Sequence, residues 1–173
     1  METMTALFTR TDYARLPEGF PAQLVAGELV REPAPTYGHQ YVQRRLVTLL
    51  DKLVPGDRLV FAPADVGIDD FNVFQPDIVV LRDLPPVTSS DVGIPLVAIE
   101  ILSPGTASRD RGYKRGLLLA AGVLEVWLVD PAARTVEVHA ADGLRAASGS
   151  TPLASRAIPG FEVVPAVLFA PPR

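Results

Sequence analysis

Glu100 stands in the middle of an apolar run, LVAIEILSP (Leu96–Pro104), in which Leu96, Val97, Ala98, Ile99, Ile101 and Leu102 are nearly continuous rather than alternating. Such a run predicts a strand covered on both faces. A carboxylate held there out of water costs several kcal/mol unless it is paired, protonated or bound to a metal. A second carboxylate, Asp77, follows Pro76 and opens the run Ile78, Val79, Val80, Leu81, which puts it at the mouth of another buried strand, a place where proline is tolerated. If the two strands are neighbours, both carboxylates converge near adjacent strand ends and form the oxygen-rich anionic site that Mg2+ (or Mn2+) prefers. Lys114 arrives from the next helix. Its ammonium can orient an attacking water or neutralise charge developing at phosphorus, a role suited to phosphodiester hydrolysis. Spacing alone leaves a second reading open, in which Glu100 pairs with an arginine inside the fold and Lys114 makes an exposed i,i+4 contact with Asp110 worth about 0.3–0.5 kcal/mol.

Around these three residues lie weaker signals. Arg109, Arg111, Lys114 and Arg115 form a basic set that can hold a phosphate backbone, with Arg44 and Arg45 as further members; a solvated helix face accounts for the same residues. Ser103 or Ser108 with His39 or His139 would make a hydrolase pair, but no GxSxG elbow exists and nothing in the spacing brings a histidine to either serine. His39, at a helix entrance, ordinarily serves as a structural hydrogen-bonding residue, and Glu28 and Glu32 as solvent-facing strand positions.

The elements that must position these residues follow from periodicity. Thr11 to Leu16 predicts a short helix capped by Thr11, and FPAQLVAGELVREPAP two short strands around Ala26-Gly27. From His39 to Val54 the residues Val42, Leu46, Leu49, Leu50 and Leu53 recur at helical spacing, with Gly56 as the stop. RLVFAPADV and VFQPDIVVL are strand candidates, followed by the Leu96–Leu102 strand. A second helix is predicted over roughly Ala107 to Ala121, with Tyr113, Leu117, Ala120 and Ala121 on its apolar side. LEVWLVDP is another strand, RTVEVHA and LRAAS a hairpin around Asp142-Gly143, and IPGFEVVPAVLF a short strand and packed tail. This order describes one mixed α/β domain over residues 1–173, with helices flanking a sheet.

Composition bounds the function. A formal net charge of -4 argues against coating by nucleic acid through bulk charge, although a local basic patch is compatible with it. The absence of cysteine removes disulfides, thiolate metal sites and cysteine nucleophiles, and suits an intracellular protein. METMTALFTRTDYARL carries neither the basic start nor the apolar segment of a signal peptide, and no run reaches membrane-spanning length, so the expectation is a soluble cytoplasmic protein without a membrane partner.

The motifs QPDIVVL, VAIEILSPGT and DRGYKRGLLLAAGVLEVWLVDPAARTVEVH, in that order and at these distances, resemble the bacterial Uma-type family of restriction-endonuclease-like proteins. The resemblance runs from LPEGFPAQLVAGELVREPAP to IPGFEVVPAVLF, nearly the whole chain. It implies a relationship to the PD-(D/E)xK nucleases: a restriction-endonuclease-like α/β core with a central mixed β-sheet flanked by helices, here with an added N-terminal β-hairpin and C-terminal strands. Asp77 matches the first aspartate and Glu100 the second acidic position, whereas Leu102 occupies the place of the usual lysine. Residues 100 and 102 share a strand face, so a lysine at 102 would have pointed at the metal; Lys114 instead matches a lysine that the family carries in the following helix. Glu28 in AGELV and His39 in GHQ match recurrent family positions and are expected to line the site. Two departures are Leu118, where relatives often have tyrosine, and Glu125-Val126-Trp127, where they often read EYW.

The resemblance thus implies a magnesium-dependent nuclease acting on DNA or another phosphodiester, small nucleotides included, and a homodimeric assembly; the basic set read from charge makes Arg109, Arg111 and Arg115 the expected nucleic-acid contacts. The alternative is a non-catalytic nucleic-acid-binding or assembly module that keeps the nuclease fold.

Overall fold

The computed structural model describes residues 7–32, 34–53, 59–103 and 110–171, apart from the side chains of Leu53, Asp110 and Arg111. Its elements in chain order are α1 (Arg10–Tyr13), β1 (Ala22–Val25), β2 (Glu28–Arg31), α2 (Tyr37–Leu53), β3 (Leu59–Phe61), β4 (Val66–Asp69), β5 (Asn72–Phe74), β6 (Ile78–Leu81) and β7 (Val97–Ile101). A π-helical turn (Asp110–Lys114) leads into α3 (Arg115–Ala120), followed by β8 (Glu125–Asp130), β9 (Thr135–Ala140), β10 (Gly143–Ser148), β11 (Leu153–Ala154), β12 (Glu162–Val163) and α4 (Pro165–Leu168).

The central sheet has the order β10-β9-β8-β7-β6-β3 and is mixed: β7 and β8 run parallel, and every other neighbour pair is antiparallel. A parallel step cannot be closed by a hairpin. The chain between β7 and β8 carries the π-turn and α3 as its crossover. A second sheet, β2-β1-β5-β4, holds the N-terminal hairpin, and β11 pairs with β12 beyond the far edge.

Alternation along the buried strands separates two cores. Ile78, Val80, Val97, Ile99, Ile101, Trp127 and Val129 pack on one face with Val42, Leu46 and Leu50 of α2 and with Ile158, Phe161 and Leu168 of the tail. Val79, Leu81, Ala98, Leu102, Val126 and Leu128 pack on the other face with Val66, Phe74 and Leu118. All five residues of β7 are buried, as the unbroken apolar run predicts for a strand covered on both sides.

Three local readings change. Each of the two expected strands RLVFAPADV and VFQPDIVVL is divided, so that β3 and β6 join the central sheet while β4 and β5 join the hairpin sheet. Pro76 lacks a ladder N–H at the second break, and there the Gln75 N–H donates to Gln23 Oε1 at 2.9 Å instead. The first helix begins earlier than expected and is capped by Thr9 rather than Thr11: Thr9 Oγ1 accepts from Asp12 N at 3.2 Å while the Asp12 carboxylate accepts from Thr9 N at 3.0 Å, a reciprocal capping box. In the helix expected over Ala107–Ala121, residues 107–109 lie outside the described residues. The buried side of the remainder is Lys114 and Leu118, whereas Tyr113 is exposed. A π-turn closes its hydrogen bonds i→i+5, so the inward face is displaced from that of a regular α-helix.

Candidate active site

One end of the β6–β7 pair gathers four of the residues singled out by sequence. The antiparallel register pairs Ile78 with Ile99. Asp77 directly precedes Ile78 and Glu100 directly follows Ile99, so both carboxylates sit at the same end of the strand pair. Asp77 is tied to β7 by a hydrogen bond, the Ile101 N–H donating to its Oδ2 at 2.6 Å.

The start of α2 holds Asp77 from the side of the first core. His39 N donates to Thr36 Oγ1 at 3.3 Å where the helix begins. His39 Nε2 lies 3.1 Å from Asp77 Oδ1, and Gln43, one helical turn later, donates through Nε2 to the Asp77 carbonyl oxygen at 2.8 Å. His39 and Gln43 therefore continue toward the helix start the inward stripe that Val42, Leu46 and Leu50 form further along. The i,i+4 relation of Gln43 to His39 is the sequence signal that would have picked out Gln43.

Glu100 faces the second core, next to Ala98 and Leu102 in the alternation of β7. The π-turn brings Lys114 onto it from above: Lys114 Nζ is 2.8 Å from Glu100 Oε1, with side-chain exposures of 2% and 5%. A lysine that deep is rare unless its charge is met. The turn itself is anchored. Tyr113 Oη donates to Asn72 Oδ1 at 3.2 Å, Asn72 Oδ1 also accepts from Ala26 N at 2.9 Å, and Asn72 Nδ2 donates to the Asp69 carboxylate at 2.9 Å. The Phe74 ring packs edge-on against Tyr113, with the Lys114 ammonium 6.0 Å from its centroid. Asn72 thereby ties the hairpin turn, the β4–β5 turn and the π-turn together. Its residue type is common in turns, and nothing in the sequence marks it out.

Two further candidates, Glu28 and Arg115, are placed by their own elements, and two lie beyond description. Glu28 opens β2 in the hairpin sheet and is exposed. Arg115 Nη1 is 3.5 Å from His139 Nδ1, whose Nε2 is 3.0 Å from Glu137, so Arg115 meets β9 two strands away from Glu100. Arg109 lies outside the described residues, as does the side chain of Arg111. Among the described residues, no group of three or more His, Cys, Asp or Glu side chains is arranged to hold a metal ion. The pair Asp77 and Glu100 offers oxygen donors only, which suits a hard divalent cation that takes one or two carboxylates and draws its other ligands from water and a phosphate substrate.

Comparisons with known proteins bear on this geometry. The Uma2 family, described as "Putative restriction endonuclease", matches residues 10–167. Among solved structures, a crystal structure from Anabaena variabilis ATCC 29413, described as "a putative nuclease belonging to DUF820", superposes with a TM-score of 0.80 at 21% identity, covering 94% of this chain and 97% of that one. The fold is accordingly the mixed α/β fold of restriction-endonuclease-like proteins. No curated protein matches the chain. Among the described residues, no helix is long and apolar enough to cross a membrane.

Proposed function

The chain belongs to the Uma2 family, and from that premise we propose that it is a nuclease that hydrolyses phosphodiester bonds in DNA with the help of a divalent metal ion. The observation that carries this reading is the buried contact of Lys114 with Glu100, 2.8 Å long, with Asp77 tied to the same end of β7 by the Ile101 N–H. Asp77 and Glu100 are the residues that would hold a magnesium or manganese ion, and a cation there supplies positive charge to a phosphodiester oxygen as negative charge builds in the transition state. Lys114 works from the opposite side of Glu100. Its ammonium, 2.8 Å from Glu100 Oε1, is the cationic group placed to orient a water for attack at phosphorus. His39 and Gln43 position Asp77. The depth of the Lys114–Glu100 pair strengthens each electrostatic effect relative to water.

The expected outcome is cleavage of single-stranded or duplex DNA by the purified chain in the presence of magnesium or manganese, with loss of about a hundredfold or more in Glu100→Ala, as for removal of one electrostatic stabiliser. Cleavage unchanged in that variant would refute the assignment.

One observation favours the second reading, a non-catalytic nucleic-acid-binding or assembly module on the same fold. The described residues offer two carboxylates rather than a three-ligand cluster, and Lys114 already meets Glu100. The two readings differ in whether the carboxylate pair binds a cation.

A further inference from the structure

The outward face of α2 carries a ladder of flat groups that the site described above does not use. Tyr37 and Tyr41, one turn apart, stack with centroids 6.2 Å apart and planes inclined by 22°. One turn further on, the Arg45 guanidinium lies over the Tyr41 ring, 5.4 Å from its centroid. The lower rungs are tied down: Tyr41 Oη donates to the Ala170 carbonyl at 2.9 Å, and Arg45 Nη1 reaches both that carbonyl, at 3.1 Å, and Tyr41 Oη, at 2.7 Å. The top rung is open. Tyr37 is 75% exposed, so a large aromatic ring rests on a rigid base with its other face in water.

Charge on the helix points to an anionic partner. In YGHQYVQRRLVTLLDKL the first carboxylate is Asp51; before it stand Arg44, exposed and on the same face as the ladder, and Arg45. The chain as a whole has a net charge of -4, so this face departs from the molecular average. The combination of open aromatic ring, stacked guanidinium and exposed arginine suits a nucleic-acid strand whose bases are unpaired, because a base offers its π-face to a side chain only when it is not enclosed in a duplex stack. The ladder also begins next to the proposed chemistry: Tyr37 is two residues from His39, which touches Asp77.

We propose that the outward face of α2 is a track for single-stranded nucleic acid, with an unpaired base stacked on Tyr37 and the backbone phosphates against Arg44 and Arg45, leading the strand over the start of the helix toward Asp77. This rests on the nuclease reading for its destination but not for the binding itself.

The test is fluorescence anisotropy of the full chain, in EDTA to suppress cleavage, with three labelled probes of about 20 nucleotides, long enough to span a typical single-strand site: oligothymidylate, an abasic strand of equal length, and a duplex. The oligothymidylate binds more tightly than either of the others. Tyr37→Ala weakens that binding by about fivefold or more, the loss expected for one stacked base, whereas Tyr37→Phe retains it. Arg44→Ala weakens oligothymidylate and abasic strand alike and lowers the salt slope by about 0.7. Equal affinity for oligothymidylate and abasic strand, tighter binding of the duplex, absence of binding, or a Tyr37→Ala variant that folds with an unchanged melting temperature and binds normally would each overturn the track. Its failure is separable from that of the chemical site: cleavage that requires Glu100 but ignores Tyr37 removes the track alone, and Tyr37-dependent binding with cleavage indifferent to Glu100 removes the site alone.

Discussion

Glu100 illustrates how a residue type can contradict its surroundings, and Lys114 is the cation that meets it in the fold. A carboxylate in a strand of aliphatics conflicts with its neighbours and stands out without structure. Lys114, set among Asp110, Arg111 and Arg115, stands out only as one of two lysines in the chain and by its match to the Uma-type family. The residues that hold Asp77 and the π-turn do not stand out. Gln43, Asn72 and Tyr113 are polar types found on any surface, and only the contacts with the Asp77 carbonyl and along the π-turn give them a purpose. The pair also sets a stability expectation. Lys114→Met leaves the Glu100 carboxylate buried without this ammonium and should lower unfolding free energy in urea by about 3–5 kcal/mol. Lys114→Met combined with Glu100→Gln removes both charges and should recover part of that loss, since the two sites share one interaction. Strictly additive losses would show that the contact carries no coupling.

At the level of elements, the helices and the buried strands were readable from their periodicity, and the boundaries were decided by details that periodicity does not contain. Pro76 divides what reads as one strand into β5 and β6, which belong to different sheets. The π-turn turns Lys114 inward, so a helical wheel drawn at the usual period selects Tyr113 for the core instead. Glu125 shows the opposite case, a buried charge with a structural role. It joins β8 to the C-terminal strands: Ser155 Oγ at 2.6 Å, Arg156 N at 2.8 Å, Trp127 Nε1 at 3.0 Å and Arg145 Nη2 at 2.6 Å all donate to its carboxylate. Burial alone would push this carboxyl up, but the hydrogen bonds from Ser155, the Arg156 backbone and Trp127, with the Arg145 charge, outweigh it and hold the group below the ordinary glutamate range. A folded-state value below the unfolded one adds stability that is complete above the unfolded value, about 4.3, and is lost as pH falls through the depressed value. Glu125→Gln should therefore be less stable than the parent at neutral pH, with the gap in denaturant midpoint narrowing as the pH is lowered below 4; a gap independent of pH would contradict this.

For the whole molecule, the sequence announced a mixed α/β domain, whereas the order of its strands is a long-range property. The six-stranded order, the single parallel step between β7 and β8, and the separate hairpin sheet depend on which non-local ladders form. That topology matters because it brings two carboxylates 23 residues apart to the same end of the β6–β7 pair, with His39 of α2 meeting Asp77 and Lys114 of the π-turn meeting Glu100. Asp77 and Glu100 are proposed to share one cation near Lys114. Calorimetric titration of manganese into the full chain tests it most directly. The account predicts one binding event per chain, abolished in Asp77→Ala and in Glu100→Ala while both variants remain folded by circular dichroism; a parent chain that binds no divalent ion, or variants that bind it as the parent does, would contradict it.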